Sequence, residues 1–322
     1  MLRILNHILF IIALGLATAW AATALWVHIP QPLLLLLWAG LGAASLAATV
    51  LHFQRRRAAW AVIAATALIV GGWYQTLTPS QTRNWAPDVA HGISGEVNGS
   101  IVTLHNLRDF AWTSATEATP RWQDLTVNLD DLQSVDMITS TWDSPEIAHL
   151  IVSFGFRTGE QIAFSVEIRK ELGEEFSTVG GFFRQFELSL IAATEQDIVA
   201  VRAQHRGEDV ALYPVNLNPE QARVLFLKYL AFGNQLAAKP EFYNTVTANC
   251  TSVVYGLVQA IKPDMPLDAS LLLSGRLPEY LNDLGGLVGE MPMAQRRANA
   301  QISAKAQTLD ADQNFSARLR AN

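Results

Sequence analysis

One cysteine, Cys250, is the whole thiol complement of this 322-residue chain. An intrachain disulfide and a CxxC metal pair are both excluded, which leaves Cys250 as a nucleophile, a small buried hydrophobe or a link to another chain. Acidic residues are missing from the first 76 positions, where the only Lys or Arg are Arg3 and Arg55-Arg56-Arg57. The remainder therefore carries 19 Lys+Arg against all 29 Asp+Glu, a formal charge of −10. Nucleic acid is not an expected partner, because phosphate binding needs the opposite balance. No phosphate-cradling glycine loop, dinucleotide fingerprint or metal-ligand cluster occurs in the sequence, so no metal and no cofactor are expected.

What fills the acid-free segment is apolar. Ile4 to Val27, Pro32 to Leu51 and Ala58 to Tyr74 are each long enough to cross a hydrocarbon core of about 30 Å at 1.5 Å per helical residue, so residues 1–76 read as a three-helix membrane anchor. Arg3 and the Arg55–Arg57 cluster mark the cytoplasmic ends, and the Val27–Gln31 connection has no Lys or Arg. The positive-inside rule then puts everything after Tyr74 outside the cytoplasm. Trp26, Trp38, Trp60, Trp73 and Tyr74 fall mostly near span ends, as interfacial anchors do, with a lipid-facing position the alternative for Trp20 and Trp38. A cleaved signal peptide ending at Ala22-Thr23-Ala24 is the alternative for the first span, although its apolar run exceeds the usual 7–15 residues. Residues 77–290 are expected to form one domain, and residues 291–322, rich in Ala, Gln, Asn and Arg, read as a polar C-terminal tail, either a surface helix or a loosely held segment.

An unpaired thiol outside the cytoplasm is exposed to oxidation and wrong pairing, which favours a chemical use for Cys250. It follows a polar stretch, Tyr243 to Asn249, and opens an apolar helix-periodic run, where backbone N–H groups and the helix dipole stabilise a thiolate. A base is then required, and the domain offers His91, His105, His149 and His205. His149 begins a predicted β-hairpin, residues 149–169. With Thr158-Gly159-Glu160 as its loop, Phe154 faces Phe164 and Val152 faces Val166 on one apolar side. His149, Ile151, Ser153, Ser165, Glu167 and Arg169 share the other side, with Glu167 opposite Ile151 and diagonal to His149. Downstream, Gly173 to Phe186 reads as a lid or acyl-chain rest, or as helix core.

The segments His149 to Glu171 (HLIVSFGFRTGEQIAFSVEIRKE), Phe183 to Arg202 (FRQFELSLIAATEQDIVAVR), Arg206 to Pro214 (RGEDVALYP) and Tyr243 to Thr251 (YNTVTANCT) resemble the extracytoplasmic domain of the Lnb lipoprotein transacylase family. The likeness runs from about Asn84 to Leu287, with a trailing match at Phe315 to Arg320 (FSARLR). It implies an α+β fold: a papain-like domain of the permuted NlpC type, with a small antiparallel sheet and a cysteine-headed helix, here preceded by three transmembrane helices. By the same resemblance Cys250 is the nucleophile and His149 the base, with Glu167 as orienting group and Arg169 close by. Asn249 is expected at the oxyanion or as a helix cap, and Tyr243 and Arg202 as polar residues near the substrate. The implied activity is acyl transfer from a lipid-borne ester, with a lipoprotein or membrane lipid as substrate, at the bacterial inner membrane with the domain in the periplasm. The order of parts departs from the family, whose membrane helices follow the domain. A thiol peptidase or amidase and a non-catalytic envelope assembly protein stay open as alternatives.

Overall fold

The computed structural model describes residues 2–310, 312 and 314–321 and divides the chain into two compact units: Met1–Pro79 with Ser177–Gln185, and Ser80–Phe176 with Phe186–Asn322. The first unit contains α1 (Leu2–His28), α2 (Leu33–Gln54) and α3 (Arg56–Gln75), three helices long and apolar enough to cross a membrane. Small residues let them approach: Ala21 and Leu25 pack with Leu34 and Leu41, and Ala48 with Ala59 and Phe10. Most of their large side chains face outward, Leu16, Leu36 and Leu68 among them, as lipid-facing surfaces require.

Strands β1 (Ser94–Asn98), β2 (Ile101–Arg108), β3 (Ala111–Trp112), β4 (Ala118–Thr119), β5 (Trp122–Asn128), β6 (Leu132–Thr141), β7 (His149–Phe156) and β8 (Gln161–Arg169) open the second unit. After α4 (Thr178–Phe182), which belongs to the first unit, come β9 (Glu187–Thr194), α5 (Glu195–Ala200) with a π-helical continuation Val201–His205, and β10 (Asp209–Pro214). The helices α6 (Pro219–Ala238), α7 (Cys250–Val258), α8 (Leu277–Asp283), α9 (Met293–Ala300), α10 (Ser303–Thr308) and α11 (Phe315–Arg320) follow. Eight strands make one sheet in the order β1-β2-β9-β8-β7-β6-β10, with β5 on β2; β3 and β4 pair separately. All pairs in the eight-stranded sheet are antiparallel except β2 with β9. The domain is thus mixed α+β, as expected.

Alternation along β7 and β8 sends side chains to two separate cores. Val152, Phe154, Phe164 and Val166 join Phe226 and Tyr229 of α6 and Val254 of α7. Ile151 and Ala163 join Ile198 of α5 and Phe315 and Leu319 of α11. The two expected faces are therefore the right ones, but their pairing is shifted: Val152 stands opposite Phe164 and Phe154 opposite Ile162. The hairpin loop is Arg157-Thr158-Gly159, closed by the Phe156 N–H to the Glu160 carbonyl at 2.9 Å. The cause is Gly159, whose φ of +106° suits the last position of a three-residue loop, which pulls the closure one residue back on each strand. Continued along both strands, this register places His149 across from Glu167 rather than diagonal to it.

The stretch read as a polar tail is also corrected. Phe315 and Ala306 are fully buried, Ile302 and Leu319 nearly so. They recur one helical turn apart, giving two short helices a narrow apolar stripe that closes the second face of the sheet. Arg320 locks this layer, meeting Asp136 at 2.6 Å and Glu195 at 2.7 Å, two carboxylates that are otherwise buried.

Candidate functional site

Helix α7 starts where its cap dictates. The Asn249 side chain accepts from the N–H groups of Thr251 (3.0 Å) and Ser252 (2.8 Å), and the Ser252 hydroxyl accepts from the Asn249 N–H at 2.9 Å, a complete capping box. The Asn249 amide donates to the Thr245 carbonyl at 2.7 Å. Its side chain is thereby spent on the cap, which corrects the oxyanion expectation for that group. Cys250 is the first helical residue, so its own N–H has no intrahelical acceptor and points out along the dipole. The thiol is partly buried.

His149, the first residue of β7, is held by its neighbour β8. Its Nε2 lies 2.6 Å from the Ser165 hydroxyl and 3.2 Å from Glu167 Oε1. Ser165 in turn donates to Glu167 Oε1 at 2.7 Å, so its oxygen is left to accept from the Nε2–H. Arg202, from the π-helical turn after α5, donates to the same carboxylate oxygen at 3.1 Å. The imidazole also lies close enough to Cys250 for each group to shift the other's ionisation. The side chains of His149, Glu167 and Arg202 are 14%, 20% and 6% exposed, so little water screens them.

Charge follows from this arrangement. Burial pulls His149 down, but the Glu167 carboxylate and the hydrogen bonds to Cys250 and Glu167 push it up to about 9. Burial lifts Glu167, yet His149, Arg202 and Ser165 hold it well below the ordinary carboxylate value. Burial likewise opposes ionisation of Cys250; the His149 hydrogen bond and charge, with the Leu150 N–H, outweigh it and bring the thiol below its ordinary value. The three groups thus shift the thiol toward thiolate and the imidazole toward imidazolium.

The remaining expected residues separate. Tyr243 lies near the thiol: its N–H donates to the Phe186 carbonyl at 3.0 Å, and its phenol is pushed up by burial and by the charges of Cys250 and Glu167. Arg202 sits behind Glu167, buried, with Glu208 Oε2 at 3.8 Å from its Nε. Arg169 is drawn elsewhere; it donates to the carbonyls of Val89 (3.0 Å) and Ala90 (2.6 Å) and stacks over the Trp85 ring at 4.6 Å. It fastens the start of the second unit to the sheet and contacts neither His149 nor Cys250. Two polar groups escaped the sequence reading. Ser165, although it falls on the face with His149, links the imidazole to the carboxylate only in the true register. Tyr229, stacked on Phe164 at 4.9 Å, is fully buried, with its phenol pushed up by burial and by the nearby Cys250 charge.

An apolar cavity of about 300 Å³ lies beside α7, lined by Met137, Leu150, Val152, Leu225, Val254 and Leu277, among others. Leu150 and Thr251, which also line it, follow His149 and Cys250 directly in the chain. Among the described residues no group of three or more His, Cys, Asp or Glu is placed to hold a metal.

A helix-start thiol beside a strand histidine, in an α+β domain carried behind three apolar helices, defines a membrane protein with an extracytoplasmic cysteine–histidine pair. Residues 118–279, which include every one of the site residues above, match the family model described as the Lnb N-terminal periplasmic domain, and the chain belongs to the Lnb family. No curated protein and no solved structure matches it.

Proposed function

We propose that this protein is a membrane-anchored cysteine acyltransferase of the bacterial inner membrane that acts on a lipid-borne ester, a lipoprotein being the favoured substrate. The observation carrying this reading is Cys250 beside His149 with Glu167 and Arg202 behind it, an arrangement that lowers the thiol and raises the imidazole. Family membership supports a lipoprotein-related role in the envelope. The order of histidine before cysteine, with the cysteine heading a helix packed on antiparallel strands, is consistent with a permuted papain-like arrangement.

In this mechanism Cys250 Sγ attacks the ester carbonyl, and the Cys250 N–H receives the developing oxyanion. The tetrahedral intermediate collapses to a thioester as His149 gives its proton to the departing alkoxide. An acceptor amine then attacks the thioester carbonyl while neutral His149 takes its proton, and the thiolate leaves, restoring the starting pair. Glu167 orients the imidazole and holds its charge; Arg202 and Ser165 hold Glu167. Tyr243 borders the substrate's approach to Sγ. The cavity beside α7 offers dry space for an acyl chain. Bringing the amine and thioester together favours transfer over hydrolysis, since an oriented group can act at effective concentrations of about 10⁵ M or more.

The test is expression in a strain that makes only diacylated lipoproteins, followed by mass spectrometry of their N-terminal lipopeptides. The expected result is one additional N-terminal acyl chain with wild-type protein and none with Cys250→Ser. Unchanged lipopeptides in the presence of folded, inserted wild-type protein reject the lipoprotein substrate.

A further inference from the structure

The segment Ser177–Gln185 groups with the membrane helices although it lies more than a hundred residues after them in the chain. It is held where aromatic residues gather. The His28 ring, at the end of α1, meets the Phe183 carbonyl at 2.6 Å, and the Phe183 ring lies 6.0 Å from Trp20, which contacts Tyr74 edge-on at 5.0 Å. Arg184 donates to the Tyr74 carbonyl at 3.0 Å and stacks over the Tyr74 ring at 4.6 Å. A Tyr ring with a long cation folded over it, at the non-cytoplasmic end of α3 and beside His28 at that of α1, is what the headgroup level of a bilayer selects; Trp20 lies two turns further in.

Helix α4 has the form such a level requires. Its backbone is satisfied locally: Ser177 caps it by accepting from the Gly180 N–H at 3.0 Å, and the Gly181 and Phe183 N–H groups bond back to Ser177 and Gly180 at 2.9 and 3.0 Å. Gly180 and Gly181 are buried, and a Cβ at Gly180 would fall 1.8 Å from the Gln185 side chain folded over it. The opposite face carries Val179 and Phe182, three residues apart and therefore side by side, at 42% and 47% exposed. Two large apolar side chains bared beside the ends of membrane spans have a continuous apolar surrounding available to them in the bilayer.

The geometry points to α4 as an interfacial membrane element: a fourth contact with the bilayer, lying flat at the periplasmic headgroup boundary with Val179 and Phe182 in the acyl region. Its partner is the lipid surface itself, and the placement is independent of what Cys250 does.

The test uses the full chain made cysteine-free by Cys250→Ser, with nitroxide attached at Phe182→Cys, Val179→Cys or, as an aqueous reference, Thr119→Cys, in vesicles of phosphatidylethanolamine and phosphatidylglycerol. Collision with oxygen is expected to exceed collision with a nickel chelate at 179 and 182 and to reverse at 119. Nickel collision dominating at 179 and 182 as it does at 119 overturns the assignment. Should the cysteine-free chain fail to fold, p-benzoylphenylalanine in place of Phe182, with Cys250 intact, gives a second reading. Irradiation is expected to yield an adduct of phospholipid mass, and irradiation yielding no such adduct overturns the assignment equally.

Discussion

Replacing Glu167 by glutamine keeps the shape of the side chain and removes the charge on which the site is organised. One oxygen of Glu167 receives His149 at 3.2 Å, Ser165 at 2.7 Å and Arg202 at 3.1 Å. The net lift of His149 from 6.5 to about 9, achieved against burial, corresponds to about 3 kcal/mol at ~1.4 kcal/mol per factor of ten. Glu167 is the largest of the groups that raise it, so Glu167→Gln returns on the order of 2 kcal/mol and brings the imidazole near neutrality at physiological pH. A neutral imidazole no longer holds a thiolate by charge, and the thiolate at pH 7.5 is expected to fall about tenfold. The assay is the rate of Cys250 alkylation by iodoacetamide against pH, read by intact mass, which is clean because the chain has one cysteine. Wild-type reactivity should rise at lower pH than that of an ordinary thiol; the variant's rise should move to higher pH, with a loss of about tenfold at pH 7.5 that is regained as pH rises. Superimposable profiles would refute the role given to Glu167.

Further outcomes follow from the same contacts. Ser165→Ala removes only the hydroxyl link between His149 and Glu167 and should cost about 1 kcal/mol, roughly fivefold in alkylation or turnover at neutral pH; a loss as large as that of Glu167→Gln would contradict it. Linkage gives the stability a defined window. The contribution of His149, whose folded value is raised, is full below about 6.5 and is lost as pH rises through about 9, while that of Glu167, whose folded value is lowered, is present above about 4.5 and is lost as pH falls. The stability advantage of wild type over Glu167→Gln should therefore be greatest between about pH 5 and 7, as thermal melts across pH can check. Arg320→Ala strands the carboxylates of Asp136 and Glu195 in the second core and should destabilise the domain by about 3 kcal/mol, against no change in melting if the C-terminal layer were a loose tail. Gly275→Ala would put a Cβ 1.8 Å from the Pro145 carbonyl, in the segment that leads into His149, and should lower melting temperature and alkylation rate together.

The parts legible in the sequence were those fixed by local pattern. An acid-free stretch divided by one arginine cluster defines three spans and their direction, and strict alternation from His149 to Arg169 defines which side chains share a face. The helix start at Cys250 is signalled by Asn249 before an apolar run, while its reciprocal cap partner Ser252 emerges only in the structure. Register was harder, because sliding a hairpin by two residues keeps both faces; only the backbone of Gly159 decides, and it moves Glu167 directly across from His149. Arg169 and Arg202 look alike in sequence, yet one binds carbonyls at the domain entrance and the other the Glu167 carboxylate, a difference made by elements distant in the chain. The last layer is hidden for the same reason: Phe315 and Leu319 are too few to signal a core until the sheet they cover is in place.

The central claim is that Cys250 carries an acyl group during turnover. Protein purified from membranes, trapped at acidic pH and measured as an intact mass, should contain a fraction heavier by one fatty acyl chain; the addition should map to Cys250, be removed by neutral hydroxylamine, and be lost in His149→Gln, which lacks the group that lowers the thiol and protonates the leaving alkoxide. Finding Cys250 only as the free thiol in wild type, or bearing a peptide in place of an acyl chain, would contradict it.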